Sequence, residues 1–239
     1  VKDGGTSGGS CETPREPGWQ RRIGVFCARL CFVISLVGII TPVSAQPEGL
    51  DLFSLRYPHL SVPRLQKAPD IDGSVNRGEW LGAAQLGPLR VGKSGVADGL
   101  RRDVFIGFND ESIFLGFHLE RPPGAVKPKM PADGGRLDRT GGGDLIEFML
   151  IPELDFSRGF DFWLFANAAY GDAIIDPKKV RSWNPVWQKA ASLTADGWQG
   201  EIAIPWRAFD RDGPPSPDEE WALDFVDNRK TPFGLLGHW

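Results

Sequence analysis

Beyond residue 31 the chain contains no cysteine: Cys11, Cys27 and Cys31 are the three in 239 residues. Residues 46–239 therefore hold no disulfide and offer no thiolate, so a core alone must carry the fold, and a segment of that size can bury one. Histidine is scarce: His59, His118 and His238 are the three present, and they show no H-x-x-x-H metal spacing. No basic patch stands out. Residues 46–239 hold 22 Lys and Arg against 28 Asp and Glu, a net charge of −6, which argues against nucleic acid as the main partner. No Gly-x-Ser-x-Gly nucleophile elbow occurs. Gly141-Gly142-Gly143 lacks the Lys and the strand-helix context of a phosphate loop. The carboxylates Asp144, Glu147 and Glu201 lie scattered, with no pairing that spacing can demonstrate. None of these patterns points to catalysis. No long helical period is found.

The first 45 residues carry an export pattern. Arg21-Arg22 precede an apolar run at 23–40, and Val43-Ser44-Ala45 matches a small-x-small cleavage site. A membrane anchor is the rival reading, but Arg29 cuts the uncharged stretch to residues 30–40, too short to span a bilayer comfortably. We expect a signal peptide with an over-long leading region at 1–45, a secreted or periplasmic product, and no stable membrane insertion after cleavage. Residues 46–67, with Pro47, Pro58 and Pro63, read as a linker or loosely docked lead-in, and the domain proper as 68–239.

Within that domain, strands dominate. Val104, Ile106 and Phe108 alternate on one face, Asn109-Asp110-Glu111 turns the chain, and Ile113, Leu115, Phe117 and Leu119 return, which predicts a hairpin. Residues 122–143 form a long Pro-, Gly- and charge-rich loop. Residues 144–151 and 159–167 are strands, the latter aromatic on both faces, so it is either central and covered or lines a groove. Residues 220–227 supply a last strand. Trp80, beside Ala83-Ala84, reads as a plug on the core, after a helical turn capped by Asn76. The expectation is an all-β, jelly-roll-like antiparallel β-sandwich with little helix.

Residues 180–209 make the most informative hairpin, with Asp196-Gly197 as its two-residue turn. That turn sets Ala191 opposite Ile202, Lys189 opposite Ile204 and Trp187 opposite Trp206. Trp187 then shares the core face of Ile202 and Ile204 unless a bulge intervenes. Trp198 and Trp206 read as core too.

The segments IDGSVNRGEW (71–80), VFIGFNDESIFLGFHLE (104–120), DLIEFML (144–150), DGWQGEIAIPWRAF (196–209) and WALDFVDNR (221–229) together resemble family 9 carbohydrate-binding modules and their relatives, the DOMON-like β-sandwiches. The resemblance implies an extracytoplasmic, non-catalytic sandwich that binds polysaccharide or oligosaccharide between aromatic rings, with calcium in a structural role. The family pattern continues past residues 231–239 to a closing strand, which leaves open any ligand group from that region.

Sugar recognition needs flat aromatic faces with amides, carboxylates or guanidinium groups around them. Trp183 precedes Pro185, where regular pairing lapses, and has Arg181 and Asn184 beside it, so it leads the stacking candidates. Trp163 follows, sharing a face with Asp161 and Asn167. Asp227, Asn228 and Arg229 either bond hydroxyls at a strand end or form a turn with a salt bridge. Tyr170 is an outside candidate, better read as packing at a strand end. Asp70, Asp72 and Glu79 offer oxygen ligands for calcium without an ordered loop pattern. The alternative function is a haem-binding, DOMON-like electron-transfer domain, for which His118, Met130 and Met149 are the available axial ligands.

Overall fold

Period-two alternation becomes two antiparallel sheets facing each other across one core. The structure is a computed structural model that describes residues 59–87, 89–91, 99–128, 135–137, 142–152, 157–176, 178–180, 182–229 and 236–238. The export signal expected at 1–45, together with Arg181 and Met130, lies outside those residues. Twelve strands are described: β1 (Ala84–Gln85), β2 (Arg90–Val91), β3 (Arg102–Phe108), β4 (Ser112–Glu120), β5 (Leu145–Ile151), β6 (Gly159–Phe165), β7 (Tyr170–Asp176), β8 (Lys178–Val180), β9 (Gln188–Thr194), β10 (Gly197–Pro205), β11 (Ala222–Asn228) and β12 (Leu236–His238). One sheet runs β1-β3-β4-β10-β9 and the other β2-β12-β11-β5-β6-β7-β8. No helix among the described residues is long and apolar enough to cross a membrane.

Strands β3, β4 and β10 of the first sheet and β5, β6 and β11 of the second give their apolar sets to the shared interior. Val104, Ile106, Ile113, Leu115, Phe117, Leu119, Ile202 and Ile204 come from the first sheet, and Ile146, Phe148, Leu150, Phe160, Phe162, Leu164 and Phe225 from the second. All seven residues of β6 are buried. Of the two readings of this doubly aromatic strand, central and covered is the observed one: β6 lies between β5 and β7, and a second apolar cluster of Leu145, Trp163, Phe165, Ala169 and Ala173 covers its outer side.

The outer face of the first sheet is covered by the segment before β1. Leu65 donates its N–H to the Phe108 carbonyl at 2.8 Å and is buried. Trp80, 3% exposed, packs with Leu65, Phe114 and Ala203. A Cβ at Gly116 would come within 2.4 Å of the Trp80 ring, so the plug requires a glycine beneath it. Glu201, fully buried on β10, accepts the N–H groups of Asp72 (3.1 Å) and Gly73 (3.0 Å) and the indole N–H of Trp80 (3.2 Å). Burial raises the Glu201 carboxyl above its ordinary range, against the opposing pull of those donors. Asn76 donates from its side chain to Glu79 at 3.1 Å, while its carbonyl accepts the Glu79 N–H at 2.9 Å.

The turn of the β9–β10 hairpin is displaced from the expected place. Gly197 pairs with Thr194 and Ile202 with Lys189, so Ala195-Asp196 makes the turn and Gly197 belongs to β10. The cause is tertiary. Gly197 lies so close to β4 that a Cβ there would stand 2.0 Å from the Leu119 carbonyl oxygen, and Arg121 donates its N–H to the Asp196 carbonyl at 2.7 Å. The slip moves partners by two residues, which preserves the facing of every side chain. Trp187, Trp198 and Trp206 are accordingly in the core at 4%, 0% and 3% exposure.

Candidate functional site

The segment from β8 to β9 passes from one sheet to the other and carries Trp183 and Asn184. Trp183 is half-buried and Asn184 exposed. The Trp183 ring rests against Phe160 (centroids 5.4 Å, interplanar 53°) and Phe162 (5.5 Å, 66°). Its carbonyl accepts a hydrogen bond from Arg136 at 3.1 Å. Arg136 also reaches the buried carboxylate of Asp172 at 3.1 Å, and the Trp187 indole N–H donates to the same carboxylate at 3.2 Å. The Trp183 backbone is thus tied to the sandwich interior while its ring stays partly open.

The ring contacts continue past Trp183. Phe160 meets Phe209 (5.1 Å, 88°), and Phe209 meets Trp221 (5.4 Å, 78°). Beside these rings is a cleft of about 80 Å³ lined by Pro152, Arg158, Phe160, Phe209 and Arg211. Both guanidinium groups lie over aromatic rings, Arg158 over Phe160 at 5.0 Å and Arg211 over Trp221 at 5.6 Å. Arg211 also holds Glu219 with two bonds of 2.7 and 2.9 Å, and the Trp221 indole N–H donates to that carboxylate at 2.8 Å. Burial pushes Glu219 up, but Trp221, Arg211 and the Ser216 N–H outweigh it and hold the carboxyl below its ordinary range. The meeting of Arg158, Arg211 and Trp221 has no signature in the sequence, because Arg158 is far from the other two in the chain and only the fold brings them together. The only local signal was Trp221 closing a proline-rich loop.

The other candidates lie elsewhere. Trp163 is 0% exposed, and Gly171 makes room for it: a Cβ there would meet the indole at 2.2 Å. No face of that ring is open to a sugar in this structure. Asp227 is likewise 0% exposed and accepts from Arg102 at 3.0 Å and from Arg121, with Arg229 Nε at 3.5 Å. Arg121 is also 3.6 Å from Asp144. For Asp227 and Arg229 the salt-bridge alternative describes the geometry, and the cluster ties the two sheets together. Asn228 is half-buried at the end of β11, which extends one residue beyond its expected end. The half-buried Tyr170 ring carries the Lys189 ammonium 3.3 Å from its centroid, a packing contact. Lys189, on the core face as its register requires, sits at this open edge, where desolvation lowers its pKa against the raising influence of Asp172.

Two further expectations depend on convergence. Among the described residues no group of three or more His, Cys, Asp or Glu side chains is placed to hold a metal ion, so Asp70, Asp72 and Glu79 are not gathered into such a group. Asp72 instead accepts the Ser74 N–H at 2.8 Å. His118 and Met149 fall on the two opposite outer faces of the sandwich, since their strand neighbours Phe117, Leu119, Phe148 and Leu150 point inward. His118 is held by Arg101 at 3.2 Å and Asp196 at 3.1 Å. The two cannot ligate one haem. A larger, open cavity of about 590 Å³ is lined by Arg64, Leu65, Gln66, Ala68, Asn109, Asp110 and Glu111, a lining with no aromatic ring.

No family model matches the sequence, and no curated protein matches it. Solved structures do. A family 9 carbohydrate-binding module from Caldicellulosiruptor kristjanssonii, in complex with cellotriose, superposes with a TM-score of 0.52 at 12% identity over 74% of this chain and 81% of that one. Such a module from the same organism, in complex with glucose, gives 0.51 at 12% identity over 74% and 84%. A Bacteroides uniformis ATCC 8492 protein, provisionally described as carbohydrate-binding, gives 0.55 at 17% identity over 75% and 88%. At such identities the likeness is one of fold: the chain shares the β-sandwich of family 9 carbohydrate-binding modules.

Proposed function

We propose that this domain is an exported, non-catalytic carbohydrate-binding module, and that a sugar ring stacks on Trp183 with Asn184 bonding its hydroxyls. The observation that carries the reading is the shared sandwich: the Caldicellulosiruptor modules with this fold hold cellotriose and glucose. The half-open Trp183 ring at the edge of that sandwich supports the choice of platform, because a pyranose needs an aromatic face with polar groups beside it. Arg181 remains part of this proposal by its position in the sequence alone.

The test is calorimetric titration with cellotriose, alongside a broad glycan array. Trp183→Ala should weaken binding about ten-fold or more, as loss of a stacked aromatic anchor does. Asn184→Ala, at an exposed position, should weaken it by a smaller factor without changing thermal stability. Absence of binding to every glycan on the array would refute the reading. Export is checked separately by N-terminal sequencing of the secreted product, expected to begin at Gln46.

A further inference from the structure

We infer that the cleft between Arg158 and Arg211 receives a carboxylate, so that the glycan bound here is an acidic one carrying uronic acid units. The inference rests on the sugar-binding reading above and specifies its substrate class.

Size comes first. The cleft is small, about 80 Å³, on the scale of a substituent rather than of an oligosaccharide. A carboxylate is small enough to enter it. Phe160 and Phe209, 2% and 5% exposed, line it. Arg158 and Arg211 line it as well.

Charge and preorganisation follow. The guanidinium carbons of Arg158 and Arg211 lie 5.0 Å and 5.6 Å from the ring centroids of Phe160 and Trp221, cation–π contacts that restrain both side chains before any ligand arrives. Arg211 is further held by two bonds to Glu219 through Nη1 and Nη2. Arg158 bonds the Asp210 carboxylate at 3.2 Å, and the Asp210 side chain is 74% exposed. An ion pair that open to solvent is worth little. A ligand carboxylate can therefore displace Asp210 at small cost and gain a charge-assisted contact in a half-sheltered cleft. Position completes the case. Phe160 lines the cleft and also packs against Trp183, so one ring joins the cleft to the proposed stacking platform.

The experiment is a glycan array of uronic acid oligosaccharides, from galacturonan and glucuronoxylan, each matched with its methyl ester. The wild-type domain should favour an acid over its ester by about ten-fold at low salt, the scale of one charge-assisted contact, and the preference should shrink as salt rises. Arg158→Gln should abolish the preference. Arg207→Gln, at an exposed position outside the cleft, should retain it. Binding of neutral glycans with no acid preference, or a preference that survives Arg158→Gln, overturns this inference and leaves the sugar-binding reading intact. Binding of no glycan at all removes both.

Discussion

At the scale of single residues, neighbouring space decides more than residue type. Gly197 and Gly213 are both loop-adjacent glycines, yet a Cβ on Gly197 would stand 2.0 Å from the Leu119 carbonyl oxygen while one on Gly213 meets nothing within 4 Å. Gly197→Ala should therefore cost about 2 kcal/mol or more as an overpacking change, and Gly213→Ala should be nearly neutral; urea denaturation of the two variants separates them. Lys189 offers a test in pH. Its folded pKa lies below the ordinary lysine value because desolvation penalises the charged form. The penalty is present at low pH and is relieved as pH rises from the folded pKa toward the unfolded one, so stability rises through that window. Lys189→Met, which keeps the stem against Tyr170 and Trp187, should remove this rise; melting temperatures taken from neutral to alkaline pH will show whether it does.

At the scale of elements, two segments outside the strands are held by buried or half-buried carboxylates. Glu201 fastens the segment carrying Asp72, Gly73 and Trp80 onto the first sheet. Glu201→Ala leaves those three donors without their acceptor and should cost about 1–3 kcal/mol, with faster amide exchange at Asp72 and Gly73 as the local readout. Since burial raises the folded pKa of Glu201, its contribution is largest when protonated and falls as pH rises from the unfolded value through the folded one. Glu219 acts in the opposite sense. Its folded pKa is lowered, so the order it lends to the loop before β11 is complete above the ordinary glutamate range and is lost as pH falls through the folded value. Trp221 fluorescence, isolated by comparison with Trp221→Phe, should shift below that range in the wild type and lose its pH dependence in Glu219→Gln.

At the scale of the whole molecule, a cysteine-free sandwich is tied across its interior by ions as well as by apolar contact. Arg102 on β3 and Arg121 after β4 bond Asp227 on β11. Removing one partner of a buried pair strands the others, so Asp227→Asn should destabilise the domain by about 3 kcal/mol or more. Denaturation followed by both fluorescence and circular dichroism would show one cooperative loss if the two sheets depend on this tie. Persistence of full stability would mean that the core alone holds them.

Alternation was the part of this architecture legible in the chain itself. Phe117 and Leu119, or Phe160 and Phe162, declare a buried face through period two, and a two-residue register slip cannot move them off it. For the same reason Trp187, Trp198 and Trp206 were readable as core although the turn position was not. Proximity across the fold was not legible, because it depends on which strands become neighbours. For Trp163 the choice between a covered ring and a platform is made by Gly171 and the second apolar cluster, and for Asp227 the choice between hydroxyl bonding and a salt bridge is made by arginines from the other sheet. Arg158 and Arg211, 53 residues apart in the chain, line one cleft only because β6 and the 3-10 turn at Trp206–Phe209 bring Phe160 against Phe209. The sequence by itself determined which faces are buried, since side-chain facing is a local property of extended backbone; tertiary structure decided which charged and aromatic groups meet, since that is set by strand order and packing.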